Sequence, residues 1–300
     1  MYYTKTISIL DKSQPPMTIS FALHTATKKL ISKKIPMAYL DAELLLASVL
    51  KKDRVYVLAH GEKVLTTAQS AKFTTLIKKR AQRIPLAYII GRKEFYGLPF
   101  HVSPNVLIPR PDTEKLITIV LDYLTNHPQS RILIDVGTGS GCIPLALATH
   151  TEQGIKIEAT DISTKALSLA KKNVKLLKLE SRVNFSKHDL LKGILKRYDI
   201  IISNLPYLSK KEYACAVKLF PEIKYEPHGA LLAGKDGLDL IRILLMQASQ
   251  YLKKNGVIFL EIGYEQGMQV TKIAHQHFSN ADIQIIKDDC GKDRVAMIQT

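Results

Sequence analysis

The chain has 300 residues, 46% of them apolar, and 43 Lys+Arg against 27 Asp+Glu give a net charge of +16. Such a composition excludes a disordered chain, a collagen and a disulfide scaffold, and the length suits roughly two domains. The charge is uneven, with 15 Lys+Arg and 5 Asp+Glu in residues 1–90 and 28 and 22 in the remainder. A basic surface of this kind favours a polyanion, an acidic protein or an anionic membrane face.

The first residues, up to Leu10, lack a signal-peptide core, and Pro15-Pro16 precede a second methionine, Met17. Residues 1–16 therefore read as an N-terminal extension. From Met17 to Gly91 the pattern is helical. Ile19, Leu23, Ala26 and Leu30 share one helical face, Ala42 to Leu50 is rich in Ala and Leu, and Ala68 to Ile84 is amphipathic. This predicts a small helical domain, 17–91, with a basic face.

Residues 92–109 change texture. Glu94 to Val102 and Val106 to Ile108 are expected as two short strands around a turn, a β-hairpin linker. Pro111 then opens a helix whose first turn holds Asp112 and Glu114, where negative charge is favourable.

From residue 129 strands and helices alternate. Strands are expected at 131–136, 156–161, 182–188, 198–203 and 257–262, with two more near 283–287 and 294–299. A helix over 238–254 is expected to stop at Gly256. The alternation predicts an α/β fold with a parallel, doubly wound sheet over 110–300. The longest apolar runs, such as Ile241 to Met246, are far too short to span a membrane. Cys142, Cys215 and Cys290 are isolated, which suits a reducing compartment, and no metal-ligand set is apparent. A cytoplasmic protein is expected.

The loop Asp135-Val136-Gly137-Thr138-Gly139-Ser140-Gly141 lies between a strand and a helix. Its glycines allow a tight turn and close approach of the backbone to a ligand, and the helix N-terminus supplies free N–H groups. Asp161 ends the next strand, where a carboxylate accepts hydrogen bonds from ribose hydroxyls or caps the following helix. Asp189 and Leu190 end the strand after that, either at an adenine pocket or at the start of a plain loop. Ser203-Asn204-Leu205-Pro206-Tyr207 closes the fourth strand, at the sheet edge where ligands bind.

These segments carry a resemblance. The glycine loop resembles motif I of class I S-adenosylmethionine-dependent methyltransferases, with Gly137, Thr138, Gly139, Ser140, Gly141, Asp161, Asp189, Leu190 and Asn204 as the implied cofactor-binding residues. Asn204-Leu205-Pro206-Tyr207 resembles the Asn-Pro-Pro-Tyr motif of enzymes that methylate planar nitrogens. It departs from that motif in Leu205, which replaces the first proline and keeps the needed carbonyl. An amide nitrogen is a poor nucleophile because its lone pair is delocalised. The Asn204 side-chain oxygen and the carbonyl of residue 205 suit its two N–H groups, Pro206 stiffens the loop, and Tyr207 suits the planar acceptor.

Flanking segments narrow the family. They are residues 83–91, 94–98, 106–114, Glu226-Pro227 with Ala230-Leu231, 236–239, Glu261-Ile262-Gly263 and Gly291 to Val295. In order, they resemble the HemK/PrmC family. The resemblance implies a Rossmann-like seven-stranded sheet behind a helical substrate-docking domain. It also implies a monomeric protein-(glutamine-N5) methyltransferase using S-adenosylmethionine. Its protein substrate would be class-1 peptide chain release factors, modified at the glutamine of Gly-Gly-Gln, with no membrane and no nucleic-acid partner expected. Asn-Leu-Pro-Tyr also occurs in nucleic-acid relatives, so the motif and the basic N-terminal region leave open an adenine-N6 methyltransferase acting on DNA or RNA. A basic binding module without catalysis is the remaining alternative.

Overall fold

The computed structural model describes residues 17–300, and the expected extension over 1–16 lies outside the described residues. The chain forms two compact units, divided between Ile90 and Gly91.

The first unit is helical: α1 (Ile19–Ser32), α2 (Ala38–Leu50), α3 (Arg54–Ala59), α4 (Thr67–Ala81) and α5 (Leu86–Ile90). The predicted face of α1 is buried at Ile19, Ala26 and Leu30, which meet Ala42, Leu45 and Leu46 of α2 and Phe73 and Ile77 of α4. Thr18, Asp53 and Thr66 cap the starts of α1, α3 and α4 by accepting backbone N–H bonds. The short α3 and α5 escape the sequence reading because neither is long enough to show a period. Inside the unit, Arg80 Nε donates to Asp41 Oδ2 at 2.6 Å, with both side chains over nine-tenths buried.

The second unit begins with a hairpin, β1 (Arg92–Phe95) and β2 (Leu98–His101). Its turn sits at Tyr96 and Gly97, both with positive φ, inside the segment expected as the first of the two short strands. Val106 to Ile108, expected as the second strand, is not a strand at all. Phe95 and Phe100 of the hairpin join the hydrophobic core of this unit.

Next come α6 (Asp112–Asn126), β3 (Ile132–Val136), α7 (Cys142–His150), β4 (Lys156–Asp161), α8 (Thr164–Leu176), β5 (Val183–Lys187) and β6 (Tyr198–Ser203). They are followed by α9 (Lys210–Leu219), two 3-10 turns over 221–230, α10 (Asp239–Tyr251), β7 (Leu252–Glu261), α11 (Gly267–His277), β8 (Asp282–Lys287) and β9 (Asp293–Gln299). Seven strands form one sheet in the order β5-β4-β3-β6-β7-β9-β8. Neighbouring residues of the central strands bury on opposite faces. Leu133, Ile200 and Ile202 pack with α6 and α7, while Ile134 and Ile201 pack with α10 and α11.

Two expectations need correction. The sheet is mixed rather than parallel, because β9 runs antiparallel to both β7 and β8. Period-two apolar runs carry no strand direction, and a tight return suffices for β8–β9. The helix expected to stop at Gly256 ends at Tyr251, and Gly256 lies within β7. Asn255 takes the left-handed conformation instead, while a Cβ on Gly256 would meet Leu252 Cγ at 2.7 Å. The glycine is needed for close approach, not for helix termination.

Replacing Asp41 by Ala would remove the buried carboxylate to which Arg80 Nε donates. The expected outcome is a loss of about 3 kcal/mol from the helical unit, read as a lower unfolding midpoint in chemical denaturation.

Candidate active site

The sheet order explains where the site forms. The chain adds β4 and β5 on one side of β3, then returns to place β6 on the other. A crevice opens outside the carboxyl ends of adjacent strands at such a reversal. The loops after β3 and β6 are the glycine loop and the Asn204 loop. The Ser203 hydroxyl donates to the Val136 carbonyl at 2.6 Å and ties the two strand ends together.

A cavity of about 460 Å³ occupies this crevice, within the ~300–1,000 Å³ typical of small-molecule sites. Gly137, Thr138, Gly139 and Ser140 form its floor. Gly137, Gly139 and Gly141 all have positive φ, with values of 78°, 55° and 80°. A Cβ on Gly139 would meet no protein atom within 4 Å, so this backbone is bare toward a ligand, whereas a Cβ on Gly141 would meet Ala170 at 3.2 Å and Phe185 at 3.3 Å. Gly141 therefore serves packing between α7, α8 and β5 and does not line the cavity.

Asp161 holds the loop from the side. Its Oδ2 accepts from Gly139 N and its Oδ1 from Ser163 N, each at 2.8 Å. Helix α8 is capped by the Ser163 hydroxyl rather than by Asp161. Burial raises the Asp161 pKa, and the backbone N–H groups of Ser163, Gly139 and Ile162 oppose that rise. Asp189 and Leu190 line the same wall, with Leu190 held at φ 54° and its carbonyl accepting from the Thr160 hydroxyl at 3.3 Å. Beneath the loop, Asp135 is fully buried, and burial pushes its pKa up to about 7.

Asn204, Leu205 and Pro206 line the opposite side. Asn204 Nδ2 donates to the Thr113 hydroxyl at 3.0 Å. The Leu205 side chain is buried, and a Cβ on Gly137 would meet its Cδ2 at 2.9 Å. Tyr207 does not line the cavity. Its hydroxyl donates to Glu261 Oε1 at 3.3 Å, and its carbonyl accepts from Gln266 Nε2 at 2.9 Å. Burial, with the Glu261 charge, raises the Tyr207 pKa.

Several residues here, Glu226 and Thr113 within segments that carry the resemblance and Asn173 outside them, had no role assigned from the sequence. Glu226, buried in a 3-10 region, accepts from Ile108 N at 3.1 Å and pairs with Arg110 at 2.5 Å. It thereby holds the 106–110 strap over the cavity, which Val106, Pro109 and Arg110 line. Asn173 is fully buried on α8 and donates to the carbonyls of Ser140 and His101 at 2.9 and 3.1 Å. Thr113 reads in sequence as an ordinary first-turn residue. An uncharged polar residue on an apolar helix face is the only local signal for Asn173, and it names no partner. Among the described residues no cluster of three His, Cys, Asp or Glu side chains is arranged for a metal ion.

Family models and known proteins match the whole arrangement. Residues 22–91 match the PrmC N-terminal domain, and residues 114–224 match the methyltransferase small domain. A release factor glutamine methyltransferase of Koribacter versatilis is 38% identical over 284 residues, covering 94% of this chain and 98% of that protein. One from Rhodopirellula baltica is 35% identical over 290 residues, covering 95% and 97%. Among solved structures, the hMettl16 catalytic domain aligns with a TM-score of 0.55 at 18% identity, covering 78% of this chain and 82% of that one, a likeness of fold alone. With the helical unit, the glycine loop and the Asn204 loop matched in order, the chain belongs to the family of release factor glutamine methyltransferases.

Proposed function

We propose that the protein transfers a methyl group from S-adenosylmethionine to the side-chain amide nitrogen (N5) of the glutamine in the Gly-Gly-Gln motif of class-1 peptide chain release factors. The observation that carries this reading is the meeting of the bare glycine loop and Asn204 in one cavity, with the Asn204 N–H2 group turned to Thr113. That leaves the Asn204 side-chain oxygen to accept a hydrogen bond from an incoming amide.

The donor set fits the cofactor. Gly137 to Ser140 suit its amino-acid end, and the open space over Gly139 admits a ligand that a side chain would exclude. Asp161 keeps acceptor capacity for ribose hydroxyls after its two backbone bonds. Asp189 and Leu190 suit the adenine. When bound, the cofactor supplies an electrophilic methyl on a sulfonium sulfur.

The chain's own part is orientation. Asn204 Oδ1 accepts one N–H of the glutamine amide, and the Leu205 carbonyl accepts the other. The nitrogen is then aimed for in-line displacement, which an amide in water achieves rarely. The amide gaining the methyl would be a strong acid, and its N–H proton would pass to water, so no dedicated base would be required. Pro206 restricts the loop, and Tyr207 fixes it from outside the cavity through Glu261.

The helical unit is assigned to substrate docking, with the catalytic part beyond it. Lys28, Lys29, Lys33, Lys34, Lys78 and Lys79 are all exposed. Arg83 donates to the carbonyls of Lys33 at 3.1 Å and Lys34 at 2.7 Å, which brings the lysine-bearing ends of α1 and α4 together. Such a face suits an acidic surface on a protein substrate. Among the described residues no helix is long and apolar enough to cross a membrane. A cytoplasmic, monomeric enzyme is consistent with that reading.

The direct test incubates the full chain with S-adenosylmethionine and a release factor and sequences the modified peptide. Methyl on the Gly-Gly-Gln glutamine is expected, and methyl on adenine of added DNA or RNA with none on protein would replace this reading. Asn204→Ala is expected to lower kcat by ~100-fold or more while the unfolding midpoint stays near that of the wild type. Asp161→Ala should weaken cofactor affinity by about tenfold or more in calorimetry, since it removes both the loop's support and the ribose acceptor. Reversing Lys28, Lys29, Lys78 and Lys79 to Glu should raise KM for the release factor and leave cofactor affinity unchanged.

A further inference from the structure

One side chain ties the floor of the cavity to its roof. Asn173 lies on α8, is fully buried and does not line the cavity itself. Its Nδ2 donates to the Ser140 carbonyl at 2.9 Å and to the His101 carbonyl at 3.1 Å. Its Oδ1 accepts from the His101 backbone N–H at 2.7 Å. Both amide hydrogens are therefore committed. The partners also settle the sense of the amide, because a carbonyl accepts and a backbone N–H donates, and the exchanged orientation would oppose all three.

The first partner belongs to the glycine loop. The peptide between Ser140 and Gly141 is held at both ends: its N–H donates to the Thr138 carbonyl at 2.9 Å, and its carbonyl meets Asn173 in the protein interior. Ser140 and the start of α7, Cys142 and Ile143, line the cavity. A Ser140 carbonyl without its donor would be a buried unsatisfied acceptor, and the glycines on either side give it the freedom to turn. Turned toward the cavity, it would set its negative end against the carboxylate of the cofactor.

The second partner belongs to the roof. His101 ends β2, and the asparagine amide pairs with both its N–H and its carbonyl, as a neighbouring strand would. From there the chain runs over the cavity, which Asn105, Val106, Leu107, Pro109 and Arg110 line. Glu226 holds the far end of this strap through Ile108 and Arg110. The near end rests on Asn173.

We propose that Asn173 is a positioning residue for cofactor binding, which fixes the glycine loop and the strap to one another and so sets the height of the cavity between them. The inference rests on S-adenosylmethionine occupying this cavity, as proposed above. Asn173 acts through the backbone and touches neither the cofactor nor the reacting atoms.

The test uses the full chain and S-adenosylmethionine, with cofactor affinity read by calorimetry in the absence of release factor. Asn173→Leu removes all three bonds, and Asn173→Asp keeps the shape and the acceptor but loses both donors. Each is expected to raise the cofactor Kd and KM by about tenfold or more, while kcat at saturating cofactor and KM for the release factor stay within about threefold of the wild type. Asp199→Ala is the control. It removes the acceptor of the Arg131 and Ile132 N–H groups at the amino end of β3, away from the cavity, and should lower the unfolding midpoint without changing cofactor Kd. In the wild type, saturating S-adenosylmethionine should slow amide hydrogen exchange at His101 and Gly141 together, by about tenfold or more. That measurement decides the matter even if neither Asn173 variant folds. Unchanged cofactor affinity in both variants, an equal loss in Asp199→Ala, or protection of Gly141 without His101 would overturn the proposal and leave glutamine methylation intact. Absence of cofactor binding by the wild type would overturn both, and it is seen before any variant is compared.

Discussion

The site depends on one topological constraint, the reversal of strand order between β3 and β6. Parallel strands side by side present their carboxyl ends on the same edge, so the loop after each emerges at the same height. In this chain the pairing Val136 with Ser203 fixes that height, and the Ser203 hydroxyl locks it. A glycine loop and an asparagine loop separated by more than 60 residues of sequence thereby face each other across one cavity. Neither loop makes a site alone. In the function proposed above, one offers backbone to the cofactor and the other offers acceptors to an amide.

The wall behind these loops is polar and almost inaccessible, which is costly unless each group serves another. Asp135 and Glu261 are both essentially inaccessible, and burial raises the pKa of each toward neutrality. The antiparallel strand β9 carries Arg294 into this region, beside Glu261 and between Asp112 and Asp288. A strand that departs from the parallel pattern thus supplies the compensating cation. On the roof, Glu226 does similar work for Arg110 and for the backbone of Ile108.

Much of this was legible in the sequence, and the reason is locality. Strands β4 and β6 fall on the expected residues because their apolar runs are bounded by charged or turn residues. The glycine loop and Asn204 are recognisable because their chemistry is packed into a few adjacent positions. What escaped detection is long-range. Asn204 meets Thr113 across 91 residues, and His101 meets Asn173 across 72. No periodicity reports such partners. Strand direction was equally invisible, and so the sheet was expected to be parallel throughout. Gly256 misled for a related reason. A glycine after a helical run signals a stop only when it takes the left-handed position, and here Asn255 takes it.

Leu205 stands where the family motif has its first proline, and its side chain fills the space that a methyl group on Gly137 would need. The cofactor loop and the acceptor loop are consequently one steric unit. A side chain at residue 137 would press on Leu205 and would also have to hold a left-handed φ of 78°, so the glycine is required on two counts. A leucine in that place exchanges the rigidity of a ring for a packed contact, and the stiffness of the acceptor loop becomes a property of the glycine loop beneath it.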